Sequence, residues 1–111
     1  MNYSESPIVN NCNDDINASV ILQKGDELNF IVIAQSEYVF FYDEWVGGTS
    51  HKEKIDYIFK EIAIKRDTII SRINYVDSRL WKKENVESSR KYKYYTNVNY
   101  YLTVTPKDFE E

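Results

Sequence analysis

The 111-residue sequence holds a single cysteine, Cys12, and a single histidine, His51. One thiol excludes an intramolecular disulfide framework and any zinc site built on several cysteines. Glycine occurs three times and proline twice, so collagen-like and Gly/Pro-rich disordered compositions are excluded. Long apolar runs are missing too. The longest, Phe30 to Ala34, is far shorter than the roughly 18–20 residues of a membrane helix. The first sixteen residues contain no Lys or Arg and no long apolar stretch, so no targeting signal is expected there. The resulting expectation is a cytoplasmic protein without a membrane partner.

What is present is a surplus of Ile, Asn, Lys and Tyr, with ten tyrosines alone. These residues have A/T-rich codons, which suggests an A/T-rich source such as a phage or other mobile element. The protein would then act in the cytoplasm of the host cell. The net charge of −4 is modest, but its distribution is lopsided. Residues 1–64 carry four Lys against eleven Asp/Glu, and residues 65–93 carry nine Lys/Arg against four acids. An acidic front and a basic middle bear on how partners are steered, not on fold.

Along the chain, residues 1–16 read as a flexible, Asn-rich arm. Residues 17–106 read as one domain, and 107–111 as an acidic tail. Ser19–Lys24, Leu28–Ala34 and Tyr38–Asp43 are β-branched or aromatic runs separated by short turns, which predicts an antiparallel meander. Alternate residues of a strand face opposite ways. Leu28, Phe30, Val32 and Ala34 therefore share one face of the second strand, and Ile31 and Ile33 the other. Both faces are apolar, so one layer of cover is not enough.

Ser50 followed by Glu53 is a capping-box pattern. The apolar residues after it, Ile55, Ile58, Phe59 and Ile62, are at helical spacing, and the stripe runs on through Ile69, Ile70, Ile73, Val76 and Leu80. One helix over 51–83 would be about 50 Å long. A break near Lys65–Asp67 is expected, with Asp67 capping a second helix; one unbroken helix along which the protein dimerises, and a strand over Thr68–Val76, are the alternatives. Val98, Tyr100, Leu102 and Val104 alternate with Asn97, Asn99, Tyr101 and Thr103, a half-buried strand. The expected fold is α+β. An antiparallel sheet of four to five strands, ordered β-β-β-α-α-β(-β), carries one or two helices on one face.

No stretch resembles a known family, and no catalytic constellation or cofactor motif is present. His51 with scattered acids does not make a metal site. Cys12 has no cationic sequence neighbour to activate it. Three surfaces remain as candidates. Tyr38, Tyr42, Trp45, Trp81, Tyr94, Tyr95 and Tyr101 are amphipathic rings of the kind enriched at protein interfaces. Lys82, Lys83, Arg90, Lys91 and Lys93 interleave with rings that stack on bases, the pattern of a nucleic-acid surface. Gly47, Gly48, Thr49, Ser50 and His51 join a strand to a helix start, where backbone N–H groups suit an anion such as a nucleotide phosphate.

The expectation is a non-enzymatic interaction protein, of the inhibitor, anti-defence or immunity kind. It would block a protein or a protein–nucleic acid complex. A homodimer would also cover the surplus apolar face. A small nucleic-acid-binding protein and an anionic-ligand binder are the alternatives.

Overall fold

The computed structural model describes residues 2–45, 55–86 and 96–110. It is a sandwich of two four-stranded sheets, and this corrects the expected α+β architecture. The strands are β1 (Asn2–Asn10), β2 (Ile16–Leu22), β3 (Glu27–Val32), β4 (Glu37–Trp45), β5 (Phe59–Arg66), β6 (Ile69–Ile70), β7 (Trp81–Val86) and β8 (Thr96–Val104). Among the described residues the only α-helix is the single turn α1 (Ile55–Ile58). Short 3-10 turns lie at Ser78–Leu80 and Pro106–Phe109.

The first sheet runs β4-β1-β8-β7, and the second β3-β2-β5-β6. All neighbours are antiparallel except β1 and β8, which run parallel. Residues 2–10, expected in a loose arm, are thus an inner strand of the first sheet. The three-strand meander divides: β2 and β3 form a hairpin in the second sheet, while β4 crosses to the first.

The two sheets share one interior. Ile8, Trp81, Leu102 and Val104 from the first meet Ile16, Val20, Val32, Phe59, Ile62 and Ile64 from the second, all buried. Phe59 lies nearly parallel to Trp81, at 9° with ring centroids 5.8 Å apart, and also touches Phe40 and Phe41. The Trp81 indole N–H donates to the Tyr75 carbonyl at 2.7 Å, so its one polar atom is satisfied inside the core.

The expected helices, broken near Lys65–Asp67, fail over residues 59–83, and for the first of them the reason is local; its expected start over 51–54 lies outside the described residues. Ile21 pairs with Glu61, and the next residue, Leu22, pairs with Phe59. Lys60 is therefore an extra residue, a bulge, in β5. The bulge turns both Phe59 and Ile62 inward, and three-residue spacing imitates a helical stripe. The expected helix cap at Asp67 is instead a turn residue between β5 and β6, with φ of 55°. Asn and Asp enter this left-handed region more readily than most residues.

Two groups of buried polar side chains are paired, whereas the buried Asn99 Oδ1 has no partner among the described residues. Asn10 is fully buried. Its amide donates to the carbonyls of Asp14 (2.9 Å) and Val32 (3.0 Å), and its oxygen accepts from the Cys12 N–H (2.8 Å). These bonds tie β1 to the edge of the other sheet. A second knot sits at the C-terminal turn. Asp108 accepts from the Thr105 hydroxyl at 3.0 Å and the Thr105 N–H at 3.3 Å. The Tyr75 hydroxyl lies 3.0 Å from Asp108 Oδ2 and 2.8 Å from Ser71 Oγ, and Ser71 in turn donates to the Asp108 carbonyl at 3.0 Å.

Candidate interaction surface

The outer face of the second sheet follows from its register. Ile31 pairs with Asn17, Asn17 with Lys65, and Lys65 with Ile70. Directly paired residues point the same way, so these four form one row across the sheet. Ser19 pairs with both Asn29 and Ala63, which makes the next row. The centre of the face is floored by Asn17, Ser19 and Ala63, with the long, exposed Lys65 beside them on β5. Its rims carry long side chains, Ile31 on β3 and Ile70 on β6. The result is an open groove of about 590 Å³.

The rim is exposed. Ile31 is 59% accessible, Ile33 just beyond β3 is 65%, and Ile70 is 61%. Val32, between Ile31 and Ile33, behaves oppositely at 0%, whereas on β6 Ile69 is exposed along with Ile70. The Ile31/Ile33 face, recognised as apolar from alternation alone, has no covering layer among the described residues. Ile70 belongs to the same groove, although the spacing of apolar residues places it in a helical stripe. The signal for its true place was the short Asp67-Thr68 link between two apolar stretches, which fits a hairpin turn.

The candidate rings do not gather into one patch. Tyr38 is 47% exposed, pairs with Ile8 and lies tilted at 39° to the Phe30 ring, 5.1 Å between centroids, where the two sheets meet along the β3 and β4 edges. Tyr42 is 50% exposed and pairs with Glu5. Phe40 is an extra residue on β4, since Ser6 pairs with Phe41 but Pro7 with Val39. Tyr38 and Tyr42 therefore face opposite sides of the first sheet. Tyr101 is half-buried and accepts from the Asn99 amide at 3.2 Å. Trp81 is a core residue at 8% exposure, so it has no ring face to offer a partner. Trp45 ends β4, but its side chain lies outside what is described, as do Tyr94 and Tyr95.

Of the basic set, Lys82 and Lys83 are exposed on β7, and Lys82 is 3.4 Å from Glu84. Burial of Trp81 removes one ring from the proposed stacking surface. Arg90, Lys91 and Lys93 lie outside the described residues. So does the whole Gly47, Gly48, Thr49, Ser50 and His51 loop.

A cluster that the sequence did not point to surrounds Cys12. The thiol is buried, and loss of hydration pushes its pKa up; nearby Arg66 opposes this, while Asp108 and Asp14 add to it. Arg66 also holds Asp14 at 3.3 Å and lies 5.7 Å over the Phe109 ring. Burial likewise raises the Tyr75 hydroxyl above its ordinary pKa, and the Asp108 charge reinforces the shift. A protonated buried thiol and a protonated phenol suit packing and hydrogen bonding, not nucleophilic attack. Among the described residues no group of three or more His, Cys, Asp or Glu is placed to hold a metal ion. No helix there is long and apolar enough to cross a membrane.

Compared with protein-family models, with curated protein sequences and with solved structures, the chain matches none.

Proposed function

We propose that this protein is a non-enzymatic interaction module that docks a macromolecular partner on the outer face of its second sheet. One observation carries the reading: Ile31 and Ile70 rim an open groove and Ile33 stands just beyond the β3 rim, all at 59–65% exposure, although the sandwich has its own buried core. Covering an isoleucine side chain is worth about 1.5–3 kcal/mol. Contiguous apolar patches on a soluble surface mark interaction sites. The polar floor of Asn17 and Ser19 supplies hydrogen-bonding groups between the apolar rims, which favours a specific partner over loose adhesion. Small size and A/T-biased composition fit an inhibitor or immunity-type protein from a phage or mobile element, working in the host cytoplasm.

The test is affinity capture from the native host, with the wild type and an Ile33→Lys, Ile70→Lys double variant immobilised side by side. The reading predicts a macromolecule retained by the wild type and lost by the folded variant. Equal retention by both, or turnover of a small metabolite by the purified chain with no such complex, contradicts it.

A further inference from the structure

A sandwich of two open sheets has four edge strands, here β4 and β7 in the first sheet and β3 and β6 in the second. Unguarded edges invite pairing with another chain, and proteins blunt them by shortening, bulging or charging them. Three of the four edges carry such a device. β6 is two residues long. β4 has the Phe40 bulge and the exposed acid Glu37. β7 carries Lys82, Lys83 and Glu84. β3 carries none: it reads Glu-Leu-Asn-Phe-Ile-Val, with no Pro, Gly or Lys and no register shift against β2. Its one charge is turned away from the edge, because Glu27 accepts from the Ser19 hydroxyl on β2 at 3.3 Å.

The direction of the backbone groups on β3 is fixed by the hairpin. The Leu22 N–H donates to the Asp26 carbonyl at 2.8 Å. Hydrogen-bonded and non-bonded pairs alternate along an antiparallel ladder. Leu28, Phe30 and Val32 therefore bond β2, while Glu27, Asn29 and Ile31 turn their N–H and C=O groups outward. Among the described residues no strand pairs with that side of β3.

We infer that the occupant of this edge is a second copy of the same chain, with β3 paired antiparallel to β3 about a two-fold axis through Phe30. This names a partner for the β3 rim alone of the surface proposed above, leaves the Ile70 rim to another occupant, and rests on that reading. The charge pattern selects the arrangement. Parallel pairing would set the two Glu27 carboxylates side by side. Antiparallel pairing about Phe30 separates them by six residue steps, about 20 Å at ~3.4 Å per residue, which exceeds the ~8 Å screening length at physiological salt. It pairs Asn29 with Ile31 of the other copy on both sides of the axis, while Glu27 lies opposite Ile33, whose carbonyl stays in its own turn by accepting from the Ser36 N–H (3.2 Å) and hydroxyl (2.6 Å). The two Ile31 side chains become diagonal neighbours on the outer face, within reach of contact. The two second sheets join into one continuous sheet of eight strands. The first sheets do not need to move.

The test is mass in solution by light scattering across about 1 to 100 µM, with hydrogen exchange of the backbone amides. The inference predicts a dimer of twice 13.2 kDa at high concentration. It also predicts that the Asn29 and Ile31 amides gain protection with concentration. Ile31→Lys puts a charge on the edge without touching the core, and it should be monomeric with an unchanged far-ultraviolet spectrum. Ile70→Lys, on the opposite rim, should still dimerise. A monomer over the whole range overturns the inference, as does a dimer that survives Ile31→Lys in a folded protein. If the chain stays monomeric yet captures a host macromolecule through Ile33 and Ile70, the second copy is rejected and the proposed function stands.

Discussion

Two ends of this sandwich treat their side chains in opposite ways. At the closed end, Asp108, Tyr75, Ser71 and Thr105 pair their polar atoms with one another, and Phe109 and Cys12 are buried beside them. Along β3, two isoleucines stand in water while the residue between them, Val32, is fully covered. The closed end is built for the fold alone. At the β3 edge, one parity of the strand serves the fold and the other parity is left for something outside it.

Phe59→Ala strikes the interior that both ends depend on. Phe59 is wholly buried against Phe40, Phe41 and Trp81, so the expected loss is about 3–5 kcal/mol. That is a large part of the roughly 5–15 kcal/mol of a small domain, and denaturant unfolding would measure it. If the loss is under about 1 kcal/mol, Phe59 is not the keystone described.

Tyr75→Phe opens the closed end by one hydroxyl. The expected cost is about 1–2 kcal/mol, because Ser71 and Asp108 each lose a buried partner. Association through β3 should be unaffected. Chemical denaturation gives the first quantity and light scattering the second. A variant that loses association as well would couple the two ends and break the contrast between them.

The smallest effect concerns Asp77, at the start of the Ser78–Leu80 turn. Its carboxylate accepts from the Arg79 side chain at 2.7–3.2 Å and from the Arg79 N–H at 3.0 Å. The side-chain bonds are the largest cause of a pKa lowered to about 2. A depressed carboxylate stabilises the fold above its unfolded pKa near 3.9, and the contribution is lost as pH falls through about 2. Arg79→Ala should return Asp77 part of the way to its ordinary value, since the backbone bond survives. Carboxyl NMR titration would follow it, with no change expected at β3.

The legible parts of the chain were those where one sheet face is simple. In β8 the alternation of apolar and polar residues is clean, and Tyr100, Leu102 and Val104 are buried as the parity implies. The parity of Ile31 and Ile33 was legible for the same reason, whereas the absence of a cover over them was not, since cover is decided by elements far away in sequence. β5 misled because Lys60 interrupts its alternation and places Phe59 and Ile62 on one face. β1 was hidden because its inward side is poor in apolar residues: Ser4, Ser6 and Asn10 are buried there together with Ile8. Trp81 illustrates a different limit. Beside Lys82 and Lys83 it looks like a stacking platform, yet the path of β7 across the interior puts its ring on Phe59. The candidate surface was therefore half visible, with the β3 rim readable from parity and the β6 rim concealed inside a false helical period.

The most direct measurement compares neighbouring residues of one strand at micromolar dilution, by urea unfolding of Ile33→Lys and Val32→Ala against the wild type. If the outward isoleucines exist for association and not for folding, Ile33→Lys will unfold within about 0.5 kcal/mol of the wild type. Val32→Ala, which empties a fully buried site, will be clearly less stable. A loss at Ile33 as large as the loss at Val32 would show that the chain covers this side chain itself, and would contradict the account.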